Sequence, residues 1–139
     1  MKTSIQIVSE QLKSHQIRPS FQRVRILHYV QTEKNHPTID MIYSGLITEI
    51  PSLSKTTIYN TLKLFVDAGI MQPITIEDHE IRYDADIIPH IHFKCIKCGE
   101  VTDVCIPEQQ DWLSSRIPAG YDVHEQHLYA RGHCPRCRL

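Results

Sequence analysis

The sequence predicts an α+β chain, with an N-terminal winged helix-turn-helix followed by a small α/β unit that holds a four-cysteine zinc site. Three observations predict it. Apolar residues recur at helical spacing up to residue 67, the period then shortens to that of strands, and two Cys-x-x-Cys pairs follow residue 94.

Each element has a local reason. Residues 3–15 place Ile5, Val8 and Leu12 on one helical face. In "RPSFQRVRILHYVQ", Ser20 is an N-cap and Val24, Leu27 and Val30 form the stripe of a second helix. Pro37 and Thr38 start a third, with Ile39, Ile42, Leu46 and Ile47 inward. Ser54 caps a fourth over 54–67, where Ile58, Leu62, Phe65 and Val66 point inward and Gly69 ends the helix at C′. Runs around 70–76 and 81–84, split by the polar turn Glu77–Glu80, read as a hairpin. A hairpin after helices joined by a short turn is the pattern of a winged helix-turn-helix. Strands follow at 91–95, 100–106 and 122–130, with a helix at 107–117 carrying Trp112, Leu113 and Ile117. A unit of roughly 50 residues buries little apolar area, so a metal or a second subunit is expected to support it.

Composition sets outer limits. With 139 residues, 41% apolar and 22% charged, and with few Gly and Pro, the chain is folded rather than disordered or fibrous. No apolar run approaches the ~18 residues of a membrane span, and residues 1–16 lack a signal peptide's apolar region. A cytoplasmic location is expected, and in a reducing compartment paired cysteines are metal ligands rather than disulfides. The charge is uneven. Residues 1–70 hold 8 Lys/Arg against 5 Asp/Glu, and residues 71–139 hold 7 against 11 together with six of nine histidines. A basic first half and an acidic, histidine-rich second half suggest a division of labour.

The stretch "HIHFKCIKC", residues 90–98, contains two kinds of metal ligand. Cys95-Ile-Lys-Cys98 and Cys134-Pro-Arg-Cys137 supply four thiolates for tetrahedral Zn(II), with Gly99 and Pro135 in the turns. Cys105 is left over and reads as a small buried strand residue. On a strand His90 and His92 share a face, whereas Cys95 has the opposite parity. The histidines therefore belong to a second site. Asp84, Asp103 and His36 are candidates to complete it, and the mixed nitrogen and oxygen set suits Mn(II), Fe(II) or Zn(II).

The motifs "IRPSFQRVRIL", "HPTIDMIY", "SLSKTTIYNTL", "RYD", "HIHFKCIKCGEVTD" and "GHCPRC" together resemble the ferric-uptake-regulator family of bacterial metal-dependent transcriptional regulators, over nearly the whole chain. The resemblance implies a winged-helix DNA-binding domain over 1–83, a hinge over 84–89 and a zinc-containing dimerisation domain over 90–139. It also implies a cytoplasmic homodimer that binds an inverted-repeat operator in double-stranded DNA, with no membrane partner and no substrate other than peroxide as signal. Cys95, Cys98, Cys134 and Cys137 match the structural zinc ligands. His36, Asp84, His90, His92 and Asp103 match the regulatory site, expected to hold Fe(II) or Mn(II). Asp84, where iron-responsive members commonly carry Glu, resembles the peroxide-response branch, whose expected oxidation targets correspond to His36 and His90. The alternative is a metal-uptake repressor without peroxide sensing. A further metal site of some members has Pro89, Ile91 and Gln126 at its positions here, so it is expected to be absent, with His124 and His127 as surface residues. Phe21 departs from the family's usual proline.

In a winged helix the start of the recognition helix enters the major groove, which nominates Lys55, Thr56, Thr57, Tyr59 and Asn60; Gln22 and Arg23 are better placed for phosphate. An enzyme is not expected. "HCPRC" lacks the preceding His-x-Glu that a zinc deaminase needs as its acid/base.

Overall fold

Four helices begin at side-chain caps that satisfy otherwise orphaned amides. Thr3 opens α1 (Ser4–Ser14) with a reciprocal capping box to Gln6, Ser20 opens α2 (Phe21–Glu33), Thr38 opens α3 (Ile39–Leu46) and Ser54 opens α4 (Lys55–Asp67). In a computed structural model, residues 1–77, 79–87, 90–105, 116–123 and 126–138 are described. They divide into two compact units, Met1–Ile87 and Ile88–Leu139.

In the first unit the apolar stripes of all four helices meet in one core. Val8 and Leu12 of α1, Val24, Leu27 and Val30 of α2, Ile42 and Leu46 of α3, and Ile58, Leu62 and Phe65 of α4 are buried there. Each such side chain stabilises the unit by about 1.5–3 kcal/mol. Ile5, expected inward, is exposed on α1, because Val8 and Leu12 already fill that helix's contact face. Helix α4 ends as the sequence requires. Gly69 takes φ +77, its amide donates to Val66 O and the Ile70 amide to Phe65 O, which forms a Schellman motif. Helix α1 ends with the same two bonds, but Gln16 holds the left-handed position, at φ 57.

The chain then forms an antiparallel hairpin of β1 (Gln72–Ile74) and β2 (Arg82–Asp84), with Gln72 opposite Asp84. Strand β2 also reaches the segment before α3, where the Tyr83 amide donates to Pro37 O at 3.0 Å. This is the wing, and its strands are shorter than the apolar runs suggested.

Among its described residues the second unit holds a three-stranded sheet in the order β4-β3-β5. Strand β3 (His90–Cys95) pairs antiparallel with β4 (Val101–Cys105) and parallel with β5 (Leu128–Gly132). The last strand begins six residues later than the sequence predicts. Its extent is fixed by its partner, since Leu128 to Gly132 are the residues that pair with Ile91 to Cys95. Cys105 is exposed, not buried, because β4 is an edge strand with four of its five residues open to solvent. Most of the expected 107–117 helix, including Trp112 and Leu113, lies outside the described residues, as do Pro89 and His124. His127 is half-buried rather than on the surface, its ring 5.8 Å from that of Tyr129. Among the described residues no helix is long and apolar enough to cross a membrane.

Candidate functional site

The four expected zinc ligands come together. The sulfurs of Cys95, Cys98, Cys134 and Cys137 all lie within 4.8 Å of one another, and Cys98 Sγ is 3.9 Å from Cys134 Sγ. Tetrahedral Zn(II) with bonds of ~2.3 Å needs sulfurs roughly 3.8 Å apart, so the cluster fits the ion. The backbone shapes it. Cys95 ends β3, its amide donates to Glu100 O, and the Gly99 amide closes a turn onto Cys95 O at 2.9 Å with Gly99 at φ +81. The Ile96 amide binds Gly132 O at 2.8 Å, which joins the first knuckle to the strand leading into the second.

Electrostatics favour a cation here. The backbone amide of Cys98, then that of Cys134, lowers the Cys95 thiol to about 5. Burial opposes ionisation of Cys134, yet the Cys137 side chain and the amides of Arg136 and Cys137 bring it below its ordinary value. Cys137 is pushed up to about 12, first by its hydrogen bond with the Cys134 side chain and then by burial. One thiolate forms readily and the last proton is held tightly, as expected of a cluster that needs a dication to ionise fully.

The histidines of β3 stand apart from the sulfurs. His90 and His92 project from one face, with Nε2 atoms 2.9 Å apart and ring centroids 4.3 Å apart. Asp103 lies opposite His92 on β4, with Oδ1 at 3.3 Å from His90 Nε2 and 3.5 Å from His92 Nε2. Two imidazoles and a carboxylate thus converge. Nine residues of sequence serve two places, as the parity of β3 requires.

In the first unit His36 and Asp84 form a second convergent pair, both buried, with Nε2 3.8 Å from Oδ2. Asp84 ends β2 and its Oδ1 accepts from the Asp86 amide at 2.9 Å, leaving Oδ2 as the atom nearer the imidazole. His36 adopts φ 49, which is sparsely populated for any residue with a side chain and unusual before a proline. Ligand atoms around one ion at ~2.1 Å are roughly 3–4 Å apart, so the spacing within each group suits a metal. Imidazole with carboxylate is a borderline-to-hard set, compatible with Fe(II) or Mn(II).

The sequence reading missed Arg82. Its Nη1 donates to the carbonyl of His36 at 3.0 Å, and its Nε to the buried carboxylate of Glu77. The signal was present in "RYD", an arginine two residues before a candidate ligand on the same short strand.

The expected DNA contacts occupy the start of α4 and α2. Lys55, Thr56, Tyr59 and Asn60 are exposed and Thr57 is half-buried, accepting from the Ser54 hydroxyl at 2.9 Å. Lys55 is held by Asp40 at 2.9 Å and lies over the Tyr43 ring. Gln22 donates to Ser52 Oγ at 3.4 Å and Arg23 Nη1 to Arg18 O at 3.1 Å, so both are partly engaged within the unit.

Comparison with known proteins points to one family. A model of the ferric uptake regulator family matches residues 14–131. A peroxide-responsive repressor, PerR, of Staphylococcus epidermidis is 33% identical over 129 residues, covering 91% of this chain and 85% of that protein. Among solved structures, PerR of Streptococcus pyogenes, described for peroxide sensing and gene regulation, is 29% identical with a TM-score of 0.55, covering 99% of this chain and 95% of that one. The Vibrio cholerae ferric uptake regulator is 27% identical with a TM-score of 0.69, covering 91% and 98%.

Proposed function

Because the chain belongs to the ferric uptake regulator family, we propose that it is a metal-dependent DNA-binding transcriptional repressor that senses hydrogen peroxide. It acts as a homodimer on an inverted-repeat operator, with residues 1–83 as the DNA-binding domain, 84–89 as the hinge and 90–139 as the dimerisation domain. Cys95, Cys98, Cys134 and Cys137 hold structural Zn(II). His36, Asp84, His90, His92 and Asp103 hold the regulatory ion. The observation that carries the proposal is the pair of convergent groups, His36 with Asp84 and His90 and His92 with Asp103, in a chain whose relatives include peroxide-responsive repressors.

Bound Fe(II) would supply the redox chemistry that lets peroxide add an oxygen atom to a ligand imidazole. The chain's residues do the rest. One dication held by both groups would neutralise Asp84 and Asp103 together, so its ligation would couple the two ligand groups. In a dimer this coupling sets the separation of the two α4 helices, which must be ~34–36 Å to enter successive turns of the major groove. Tyr59 and Asn60 then face base edges, and Gln22 and Arg23 approach phosphate. His36 and His90 are the oxidation targets. One peroxide oxygen replaces an imidazole C–H hydrogen and the other leaves as water, a two-electron oxidation that spoils the ring as a ligand and releases the ligand groups. The established deaminase chemistry of Cys-x-x-Cys zinc has no counterpart here, because the residue two after His90 is His92 and not a glutamate.

The test loads zinc-replete protein anaerobically with Fe(II), adds a slight excess of hydrogen peroxide and maps oxygen by peptide mass spectrometry. Gain of one oxygen on His36 or His90, absent with Mn(II), is expected. No histidine oxidation, with operator binding still iron-dependent, would make the protein a metal-uptake repressor instead.

A further inference from the structure

His36 has an improbable backbone. It combines a left-handed φ of 49 with a following proline, and no glycine relieves the crowding around its Cβ. Such a conformation persists only where its neighbours over-determine it. Strand β2 supplies three such contacts. Arg82 Nη1 donates to the His36 carbonyl at 3.0 Å, and the Tyr83 amide donates to the Pro37 carbonyl at 3.0 Å. The next residue, Asp84, presents its carboxylate 3.8 Å from the His36 imidazole. Three consecutive residues thus fix two successive carbonyls of one segment and the side chain that pairs with it.

Arg82 is itself fixed. Its guanidinium is paired through Nε with Glu77, whose side chain is only 5% exposed although it stands in the turn of the wing. A planar guanidinium can serve a carboxylate and a carbonyl at once, whereas an ammonium reaches one at a time as a point charge. The pair therefore forms a relay, from the wing turn through Arg82 to the backbone of His36.

We propose that Arg82 is a positioning residue for the regulatory metal, and that Glu77, by holding it, couples the wing turn to that site. This rests on the reading of His36 and Asp84 as ligands. Coupling of this kind is reciprocal. A partner that rearranges the wing changes metal affinity, and metal ligation stiffens the wing.

The experiment uses the full-length, zinc-loaded protein and Mn(II) as the probe, its affinity measured by chelator competition. Arg82→Met should weaken Mn(II) by roughly 10- to 100-fold, the range for residues that orient a metal ligand, and leave zinc content unchanged. In the metal-site-free state the Tyr83 amide should exchange faster in that variant. Arg82→Lys should recover part of the affinity. Because Arg82→Met removes the guanidinium that pairs with the buried Glu77 carboxylate, Arg82→Met/Glu77→Met provides a second route that removes both charges, and it should show the same loss. A merely structural role is separated by the His36→Ala background, where Arg82→Met should have no further effect on Mn(II). Wild-type affinity in both Arg82 variants, or an equal loss in the His36→Ala background, overturns the inference while the ligand assignment stands. Unchanged affinity in His36→Ala alone overturns the ligand assignment, and the inference with it.

Discussion

Replacing Cys134 by serine should unfold the second unit and spare the first. The reason lies in where apolar side chains are buried. Every member of the hydrophobic core cluster belongs to Met1–Ile87, and among the described residues of Ile88–Leu139 the sole buried member of the apolar class is Cys95, one of the four clustered cysteines. A structural Zn(II) contributes ~10–16 kcal/mol, so one thiolate of four accounts for about 2.5–4 kcal/mol. A unit of roughly 50 residues has a net stability of about 3–8 kcal/mol. Loss of one ligand is therefore comparable with all the stability the unit has, and chelation of the ion exceeds it. Hydrogen exchange read by peptide mass spectrometry gives the answer, alongside zinc content by atomic spectroscopy. Amides of β3 and β5, and that of Ile96 on Gly132 O, should lose protection, while those of α4 keep theirs. Persistent protection of β3 and β5 in zinc-free Cys134→Ser protein would show that packing, not the metal, organises the sheet.

Three smaller perturbations test other parts of the structure. Tyr59→Ala should weaken operator binding by about 1–3 kcal/mol with no change in melting temperature, because half of that side chain is exposed on α4; equal losses of both would mark it as a packing residue. Gly69→Ala should cost about 1–2 kcal/mol in thermal unfolding, since φ +77 opposes a Cβ, and Gln16→Gly at the matching position of α1 should be neutral or stabilising. The Arg25 guanidinium, chiefly through its hydrogen bond, holds the Glu49 carboxyl below the ordinary glutamate value, ~4.3. A carboxyl depressed in the folded state contributes above its unfolded pKa and ceases to contribute as pH falls through the lowered folded one. Glu49→Gln should thus lower the melting temperature slightly near neutral pH, with the effect shrinking as pH falls through the lowered folded-state value, as a paired pH series would show.

Much of this was legible from local chemistry. Ser20, Thr38 and Ser54 each precede a helix and each caps it, and Gly69 sits where only a left-handed residue ends the turn. The separation of His90 and His92 from Cys95 follows from strand parity alone, because alternation of side chains is a property of the backbone. What escaped the sequence depends on partners distant in the chain. The start of β5 is set by β3, the exposure of Cys105 by the place of β4 at a sheet edge, and the importance of Arg82 by a carbonyl 46 residues earlier. A burial pattern or a cap is written in a few neighbouring residues. A pairing register and a long-range side-chain bond are not.

The parallel pairing of β3 with β5 has a consequence for folding fidelity. The strands are joined from Ile91↔Leu128 to Cys95↔Gly132, across an interval that makes the pairing entropically slow, and parallel strands gain no turn to set their alignment. Each strand runs directly into a zinc knuckle. A slip of one residue would displace Cys134 and Cys137 by ~3.3 Å along the strand, nearly the whole 3.9 Å between the Cys98 and Cys134 sulfurs. It would also turn Tyr129, whose ring lies 6.0 Å from that of His92, to the opposite face. The four sulfurs converge only in the correct alignment, so capture of one ion by all four would proofread the register of β5 beside the histidine-bearing strand.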